Sequence, residues 1–239
     1  MKFIASVSFG KDSLAMLILL MKFGLPLDEV VFFDTGMEFD EVYEVRDGIL
    51  PALKTRGITY TELKPKRPFI ETMLNYPHLS RSGEMKSGYG WCGGLCRWGT
   101  TEKLRAIEEY CKGSIQYVGI AKDETARLDR LRRYPNKRAP LATFGYTEKD
   151  ALELCYRVGY RWGGLYEYLD RVSCWCCRNK NLKELANIKK HLPKYFDRLV
   201  ALEKEIGEPM KKPKTLPERF NEKKPETQTI NELKEKINE

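Results

Sequence analysis

Lys2-Phe3-Ile4-Ala5-Ser6-Val7-Ser8-Phe9-Gly10-Lys11-Asp12-Ser13-Leu14 reads as a strand, a tight turn and the start of a helix. The segment from Lys2 to Phe9 is rich in Ile, Val and Phe, and Leu14 to Phe23 continues as an apolar helix that ends at Gly24. A strand that runs through such a turn straight into a helix aims backbone N–H groups, helped by the helix dipole, at whatever sits in the turn. Gly10 permits the sharp bend and close approach, Ser8 and Ser13 add hydroxyl donors, and Lys11 adds positive charge. The loop Ser8–Ser13 is therefore a candidate phosphate site, with Lys11 and Asp12 as candidate catalytic residues. It is not the Walker pattern, which needs a longer glycine-rich loop ending in Gly-Lys-Ser or Gly-Lys-Thr. The plainer alternative is a simple strand-to-helix turn with Asp12 near the helix start.

Working outward, Val30-Val31-Phe32-Phe33 is a short continuous apolar run of the buried-strand kind and ends in the polar turn Asp34-Thr35-Gly36. Glu38 to Lys54 reads as a helix, Ile58 to Leu63 as a third strand, Glu102 to Cys111 as a helix and Ile115 to Ile120 as a fourth strand. Strands alternating with helices predict an α/β fold with a mainly parallel sheet. The middle, Lys64 to Gly99, is dense in Pro, Gly, Arg and aromatics, and is expected to be irregular. Thr147 and Asp150 form a capping-box pattern ahead of Ala151 to Val158, and Asn181 to Ile206 reads as helical with an interruption near Pro193. From Gly207 onward Pro, Lys and Glu replace apolar residues. The expected organisation is one domain over residues 1–206 and a polar, loosely docked or mobile tail over 207–239.

With 239 residues and 42% hydrophobic content the chain can bury a sizeable core, and no stretch reaches the length of a membrane span. No export signal is read at the amino terminus, so a cytoplasmic protein is expected. A net charge of +8 and a pI near 9.0 suit polyanionic partners, although the lysines and glutamates are interleaved. Lys64, Lys66, Arg67, Arg81, Arg97, Arg132, Arg133, Lys137 and Arg138 are candidates to line an acceptor path; a merely solvated face is the alternative.

Seven cysteines, an odd number with no export signal, argue against a disulfide framework. Cys92 and Cys96 lie four apart in Trp-Cys-Gly-Gly-Leu-Cys-Arg-Trp, and Cys174 and Cys177 form a Cys-x-x-Cys pair. Two separated close pairs supply four thiolates, a donor set that suits tetrahedral zinc or an iron–sulfur cluster, with Cys176 as a competing ligand. Cys111 and Cys155 fall in apolar helical patterns and are expected as core thiols. Neither His78 nor His191 has ligand-like spacing, and both are expected in surface or packing roles.

The Ser-x-Gly-Lys-Asp-Ser loop resembles the PP-loop of the adenine nucleotide alpha-hydrolase superfamily, especially its 3′-phosphoadenosine 5′-phosphosulfate (PAPS) reductase-like branch. Phe33-Asp34-Thr35-Gly36-Met37-Glu38-Phe39 is similar to the branch's second-strand turn, and Gly119-Ile120-Ala121-Lys122-Asp123-Glu124-Thr125-Ala126-Arg127 to its later Gly-x-Arg-x-Asp-Glu-Ser-x-x-Arg element, with Lys122 where arginine is common. Arg138-Ala139-Pro140-Leu141, Leu165-Tyr166 and Arg171-Val172-Ser173-Cys174 match its closing segment. The resemblance implies a doubly wound sheet with a nucleotide at the carboxyl ends of its strands, followed by a cysteine-bearing carboxyl-terminal helical segment. It further implies that Ser8, Gly10, Lys11, Asp12 and Ser13 hold phosphates, that Asp34 and Gly36 contact adenosine, and that Lys122 and Arg127 face phosphate or sulfate. Likeness to cluster-bearing sulfonucleotide reductases and nucleic-acid sulfur transferases favours [4Fe-4S] at Cys92, Cys96, Cys174 and Cys177, with zinc as the competitor.

One departure from sulfonucleotide reductases matters. Their redox nucleophile is a cysteine near the carboxyl terminus, and this chain has no cysteine after Cys177. The expected activity is therefore binding of ATP with Mg²⁺, adenylation of an acceptor with release of pyrophosphate, and sulfur transfer onto a nucleic acid or small molecule. The sulfur or electron donor stays open. Thiol-dependent reduction of APS or PAPS is the second expectation, and a non-catalytic nucleotide-binding subunit of a modification or defence complex the third.

Overall fold

The apolar run at the amino terminus forms strand β1, Phe3–Ser6, and helix α1 follows as Lys11–Lys22. The computed structural model describes residues 1–80 and 82–220. Then come β2 (Glu29–Phe33), α2 (Asp40–Thr55) and β3 (Thr59–Leu63). Further along are α3 (Lys103–Tyr110), β4 (Ile115–Val118), α4 (Thr125–Leu131), β5 (Lys137–Arg138) and α5 (Glu148–Arg157). All of these belong to the first of two compact units, made of Met1–Asp34, Glu38–Lys64 and Glu102–Leu165.

The five strands form one sheet in the order β3-β2-β1-β4-β5, and each neighbouring pair is parallel. This is the α/β architecture the alternating pattern predicts. Chain order reverses at β1, with β2 on one side and β4 on the other, and ligands of open parallel sheets lie outside the carboxyl ends at such a point. The Ser8–Ser13 loop leaves the sheet there. α1 is apolar around most of its girth because it is buried on most sides: Leu14, Ala15, Met16, Leu17, Leu19 and Leu20 have no exposed surface, and the helix packs on α5. The strand β2 is buried along its whole length, including Glu29. Lys2 Nζ, Thr61 Oγ1 and the Tyr110 hydroxyl donate to that carboxylate at 3.0, 2.6 and 2.5 Å, so the charge is buried fully bonded.

The second unit comprises Thr35–Met37, Pro65–Thr101 and the chain from Tyr166 onward. Lys64 to Gly99, expected as irregular, holds a helix Phe69–Leu74 and an antiparallel pair Pro77–Leu79 and Met85–Ser87. Too few residues separate these elements for periodicity to show them. The predicted long helix is two helices, Leu182–His191 and Pro193–Ile206, broken where Pro193 starts the second. Asn181 and Glu184 close a capping box on the first, as Thr147 and Asp150 do on α5.

Residues 207–220 correct the expectation of a loosely docked tail. Met210 and Leu216 are fully buried, and the Glu203 carboxylate accepts the N–H groups of both at 2.7 Å. Two apolar side chains spaced six apart carry no helical or strand period, so the packing escapes a pattern search. The rest of the expected tail, 221–239, lies outside the described residues, as does Arg81. His78 stacks on Tyr89 at 4.0 Å and His191 on Tyr168 at 4.2 Å, the packing roles expected of them.

Candidate functional site: a strained loop and two thiol pairs

The turn between β1 and α1 is built by an unusual backbone. Phe9 has φ +55°, a left-handed conformation that costs a non-glycine residue on the order of 1 kcal/mol or more and persists only where the surroundings impose it. Here they do. The Phe9 ring is fully buried, edge-on to Phe32 with centroids 5.2 Å apart, and its carbonyl accepts the indole N–H of buried Trp162 at 2.7 Å. Gly10 is the N-cap of α1, and no side chain caps the helix. Ser13 Oγ accepts from the Ser8 N–H at 3.1 Å, lies 3.1 Å from Ser8 Oγ and donates to the Gly10 carbonyl at 3.1 Å, so the two serines brace the loop from inside.

β4 supplies the other wall. A Cβ at Gly119 would lie 2.7 Å from Ser13 Cα, 2.8 Å from Ser13 N and 2.9 Å from Asp12 C, so only glycine lets this strand end touch the first turn of α1. Beyond it, the Glu124 carboxylate accepts the Ala121 N–H at 3.1 Å and pairs with Arg127, and Asp123 Oδ1 accepts the Glu148 N–H at 3.0 Å at the start of α5. Lys122 is exposed, and its N–H donates to the Tyr146 carbonyl at 2.7 Å.

Lys11 Nζ lies 2.9 Å from Asp12 Oδ1 and 3.5 Å from Glu148 Oε1. Burial raises the pKa of Asp12 above the ordinary carboxylate value, against the pull of Lys11, and the negative charges of Glu148 and Glu124 push the same way. Glu148 was not singled out in the sequence, because the capping box beside it explains a Glu there without a site. At the end of β2, Asp34 Oδ1 accepts the Tyr43 hydroxyl at 2.6 Å, and burial, followed by this bond, pushes the Tyr43 pKa upward. Gly36 belongs to the second unit, with φ +70°, so Asp34 and Gly36 fall in different units.

Residues 2–139 match the family model for the phosphoadenosine phosphosulfate reductase domain. This chain belongs to that family. It is also 30% identical over 210 residues to the uncharacterized protein MJ0066 of Methanocaldococcus jannaschii, and 25% identical over 212 residues to the uncharacterized protein MJ0973 of the same organism. Each alignment covers 84% of this chain, which spans 41% of the first relative and 47% of the second.

The PAPS reductase domain match holds the Ser8–Ser13 loop and the first cysteine pair, and it ends before the second. Both pairs lie in the second unit. Cys96 precedes a wide helical turn, Arg97–Glu102, and its sulfur accepts the Gly99 N–H at 3.3 Å. The neighbouring Cys92 sulfur accepts the Arg97 N–H at 3.2 Å. A hydrogen bond from the Cys92 thiol, reinforced by backbone N–H groups of Gly99, Trp98 and Thr100 against opposing burial, lowers the Cys96 pKa to about 6. The same bond, with burial, raises Cys92.

The second cysteine loop is held beside the first. Asn179 brackets Gly94, accepting its N–H at 2.9 Å and donating to its carbonyl at 3.0 Å. A Cβ at Gly99 would sit 3.6 Å from Cys96 Sγ and 3.8 Å from Cys174 Sγ. Thr35 Oγ1 lies 3.7 Å from Cys174 Sγ and accepts the Met37 N–H at 3.1 Å, while the Met37 carbonyl accepts the Trp175 N–H at 2.9 Å. Thr35–Met37 thus braces the thiols, a role the sequence reading did not assign. Lys180, 2% exposed, donates to Ser173 Oγ at 3.1 Å; burial lowers its pKa, and negative charge at Cys177, Glu184, Cys174 and Cys176 would oppose that. Cys176 is buried and its pKa is raised by burial. Cys111 and Cys155 are core thiols, as expected.

The donor chemistry fits a soft metal centre: paired thiols, sulfurs that accept N–H bonds, and a buried cation that anionic sulfur would compensate. Among the described residues, no three His, Cys, Asp or Glu side chains are grouped closely enough to hold one ion, although Cys92 and Cys96 are in contact and the Cys96 and Cys174 sulfurs both flank Gly99.

Among the expected acceptor-path cations, Arg67 lies over Tyr76 at 4.3 Å and Arg97 over Tyr89 at 4.2 Å, whereas Lys137 pairs with Glu108 at 2.8 Å. No helix among the described residues is long and apolar enough to cross a membrane.

Proposed function

We propose that the chain binds ATP with Mg²⁺ and transfers AMP to an acceptor oxygen, releasing pyrophosphate, after which a sulfur nucleophile displaces the AMP. The observation that carries this reading is the first turn of α1, uncapped by any side chain and held in place by left-handed Phe9 and by Gly119. Amides fixed in this way stabilise charge on a leaving pyrophosphate without reorganising during the reaction. In this scheme the acceptor oxygen attacks the α-phosphorus and the α–β P–O bond breaks. Its electron pair leaves with pyrophosphate, whose charge Mg²⁺ and Lys11 share. Lys11 would exchange its contact with Glu148 for a phosphate. Asp34 would contact adenosine beside Tyr43, and Lys122 and Arg127 would extend the positive charge.

Cys92, Cys96, Cys174 and Cys177 would hold the metal centre, with Cys176 the less suited donor because it is buried with a raised pKa. A [4Fe-4S] cluster held by only three of these thiolates would leave one iron open to hold sulfide brought by a separate donor, whereas a four-thiolate cluster or zinc would be structural. The supporting experiment is an anaerobic preparation assayed for iron, zinc and pyrophosphate release from ATP. Pyrophosphate formation that depends on Lys11 supports the reading. Tight nucleotide binding with no product from ATP, APS or PAPS would instead favour a non-catalytic subunit.

The Cys92–Cys96 contact favours a second reading, thiol-dependent reduction of APS or PAPS. The Cys96 thiolate would attack the sulfonate sulfur, AMP or its 3′-phosphate would leave, and Cys92 would then release sulfite as the two cysteines form a disulfide. An external thiol would restore them. Sulfite production that requires added thiol separates this reading from the first.

A further inference from the structure

Beside the two cysteine loops, within the second unit, lies a cavity of about 680 Å³ that none of the nucleotide-site residues lines. Its polar wall is cationic: Arg178, Lys211, Lys212 and Arg219 line it together with the backbone of Gly93 and Gly94, and no Asp or Glu does. Four cations on one wall repel each other unless an anion joins them. The main chain holds three of them in place. Arg178 Nε donates to the Met210 carbonyl at 3.1 Å, Lys211 Nζ to the Arg178 carbonyl at 2.5 Å, and Arg219 Nη2 to the Lys211 carbonyl at 2.6 Å. Lys212, more exposed, reaches Glu208 at 3.1 Å.

A second, independent feature is the state of Arg219. Its Nε is buried and has no hydrogen-bond partner, the single such side-chain atom among the described residues. Native proteins rarely leave a buried guanidinium N–H unpaired, because the lost water is not replaced. Arg219 lines the cavity beside lysine ammonium groups and glycine backbone, so a turn of its side chain would bring the buried, unpaired Nε–H to a phosphate bound there, and a planar guanidinium so placed has the chemistry of a phosphate receptor.

We propose that this cavity is a second anion site that takes a phosphate group, separate from the Ser8–Ser13 loop, with Arg219 and Lys212 as its principal binding residues. The phosphate chemistry is common to a phosphodiester of a nucleic-acid acceptor and to a free phosphate or phosphorylated small molecule, and the two are separable by experiment. Burial of Met210 and Leu216 gives residues 207–220 a purpose here, since they carry three of the four cations.

The test uses the full chain. Binding of inorganic phosphate is followed by ³¹P NMR, and binding of a short fluorescein-labelled single-stranded RNA by anisotropy, for the native protein, Arg219→Gln and Lys212→Gln. Binding of a fluorescent ATP analogue to each protein reports on the nucleotide loop. The expected result is a loss of phosphate affinity of about tenfold in each variant, the loss of one charge-assisted contact, with ATP-analogue affinity unchanged. RNA binding that falls in parallel and is competed by phosphate identifies a phosphodiester. Phosphate binding without RNA binding identifies a free phosphate or phosphorylated small molecule. Lys212 is on the surface, so its variant keeps the test valid if Arg219→Gln folds poorly. Native protein that binds neither probe, or a Lys212→Gln protein that binds both as tightly as the native chain, overturns the proposal.

Discussion

The Ser8–Ser13 loop and the cysteine loops solve opposite problems. The loop is a backbone device: its geometry is fixed by Phe9 in a left-handed conformation, by Trp162 on the Phe9 carbonyl and by Gly119 against the α1 turn. The thiols are a side-chain device, drawn from Trp91–Thr101 and Ser173–Lys180 and braced by Thr35–Met37, and among the described residues no three of them are grouped closely enough to hold one ion. A site made of main chain exists as soon as the sheet forms. One made of thiols has its loops in place, and under the proposed reading a metal would complete it, because bringing several thiolates together without one is electrostatically unfavourable.

The contrast is most exposed to attack at Gly119. Gly119→Val should abolish ATP binding, and Gly119→Ala should weaken it by tenfold or more, because Cβ contacts below 3.0 Å force the α1 turn to move at a cost of about 1–3 kcal/mol. Titration calorimetry with ATP checks this; an alanine variant that binds normally would show that the loop is not held from behind. The next largest effect belongs to the other region. Cys96→Ser should remove most bound iron or zinc from anaerobically purified protein and leave ATP affinity intact, whereas Cys111→Ser should change neither. Equal metal content in both variants would dissolve the distinction drawn above.

Trp162→Phe sharpens the comparison further. It removes the bond to the Phe9 carbonyl while retaining an aromatic side chain, so about 1–3 kcal/mol of stability should disappear on urea unfolding and nucleotide affinity should fall several-fold. Unchanged affinity would mean that the left-handed turn survives without its lock. The smallest effect is expected from Glu29→Gln, at the amino end of β2. Burial would raise the Glu29 pKa, but bonds from Thr61, Tyr110 and Lys2 outweigh it and the net shift is downward. Stability from such a group is present above its unfolded value of about 4.5 and is lost as the pH falls through the lower folded value. The variant should therefore be less stable than native at neutral pH, with the gap closing in acid, and its ATP affinity should be unaltered.

Much of the first region was legible in the sequence. The alternation of apolar runs with helical stretches predicts the parallel sheet, and the Ser-Phe-Gly-Lys-Asp-Ser turn marks the loop, because strand length and glycine placement are local properties. What stayed hidden is non-local. Nothing marks Phe9 as left-handed, since its conformation is imposed by Trp162 more than a hundred residues away. Glu148 was masked by its capping box, and Thr35 by its place in a turn already assigned to adenosine. In the second region the cysteine spacing shows the pairs. The wide turn after Cys96, the Asn179 bracket on Gly94 and the burial of Met210 and Leu216 have no period to read.

The interleaving of the two units in the chain bears on synthesis. β3, β2 and β1 are complete by Leu63, yet β4, which pairs with the free edge of β1, lies beyond the whole of Pro65–Thr101. On a ribosome the growing chain must therefore carry a half-built sheet with an open edge while residues of the other unit emerge. The Ser8–Ser13 loop gains its Gly119 wall only after that interval, so a translational pause just downstream of Thr101 would prolong an aggregation-prone stage of its biogenesis.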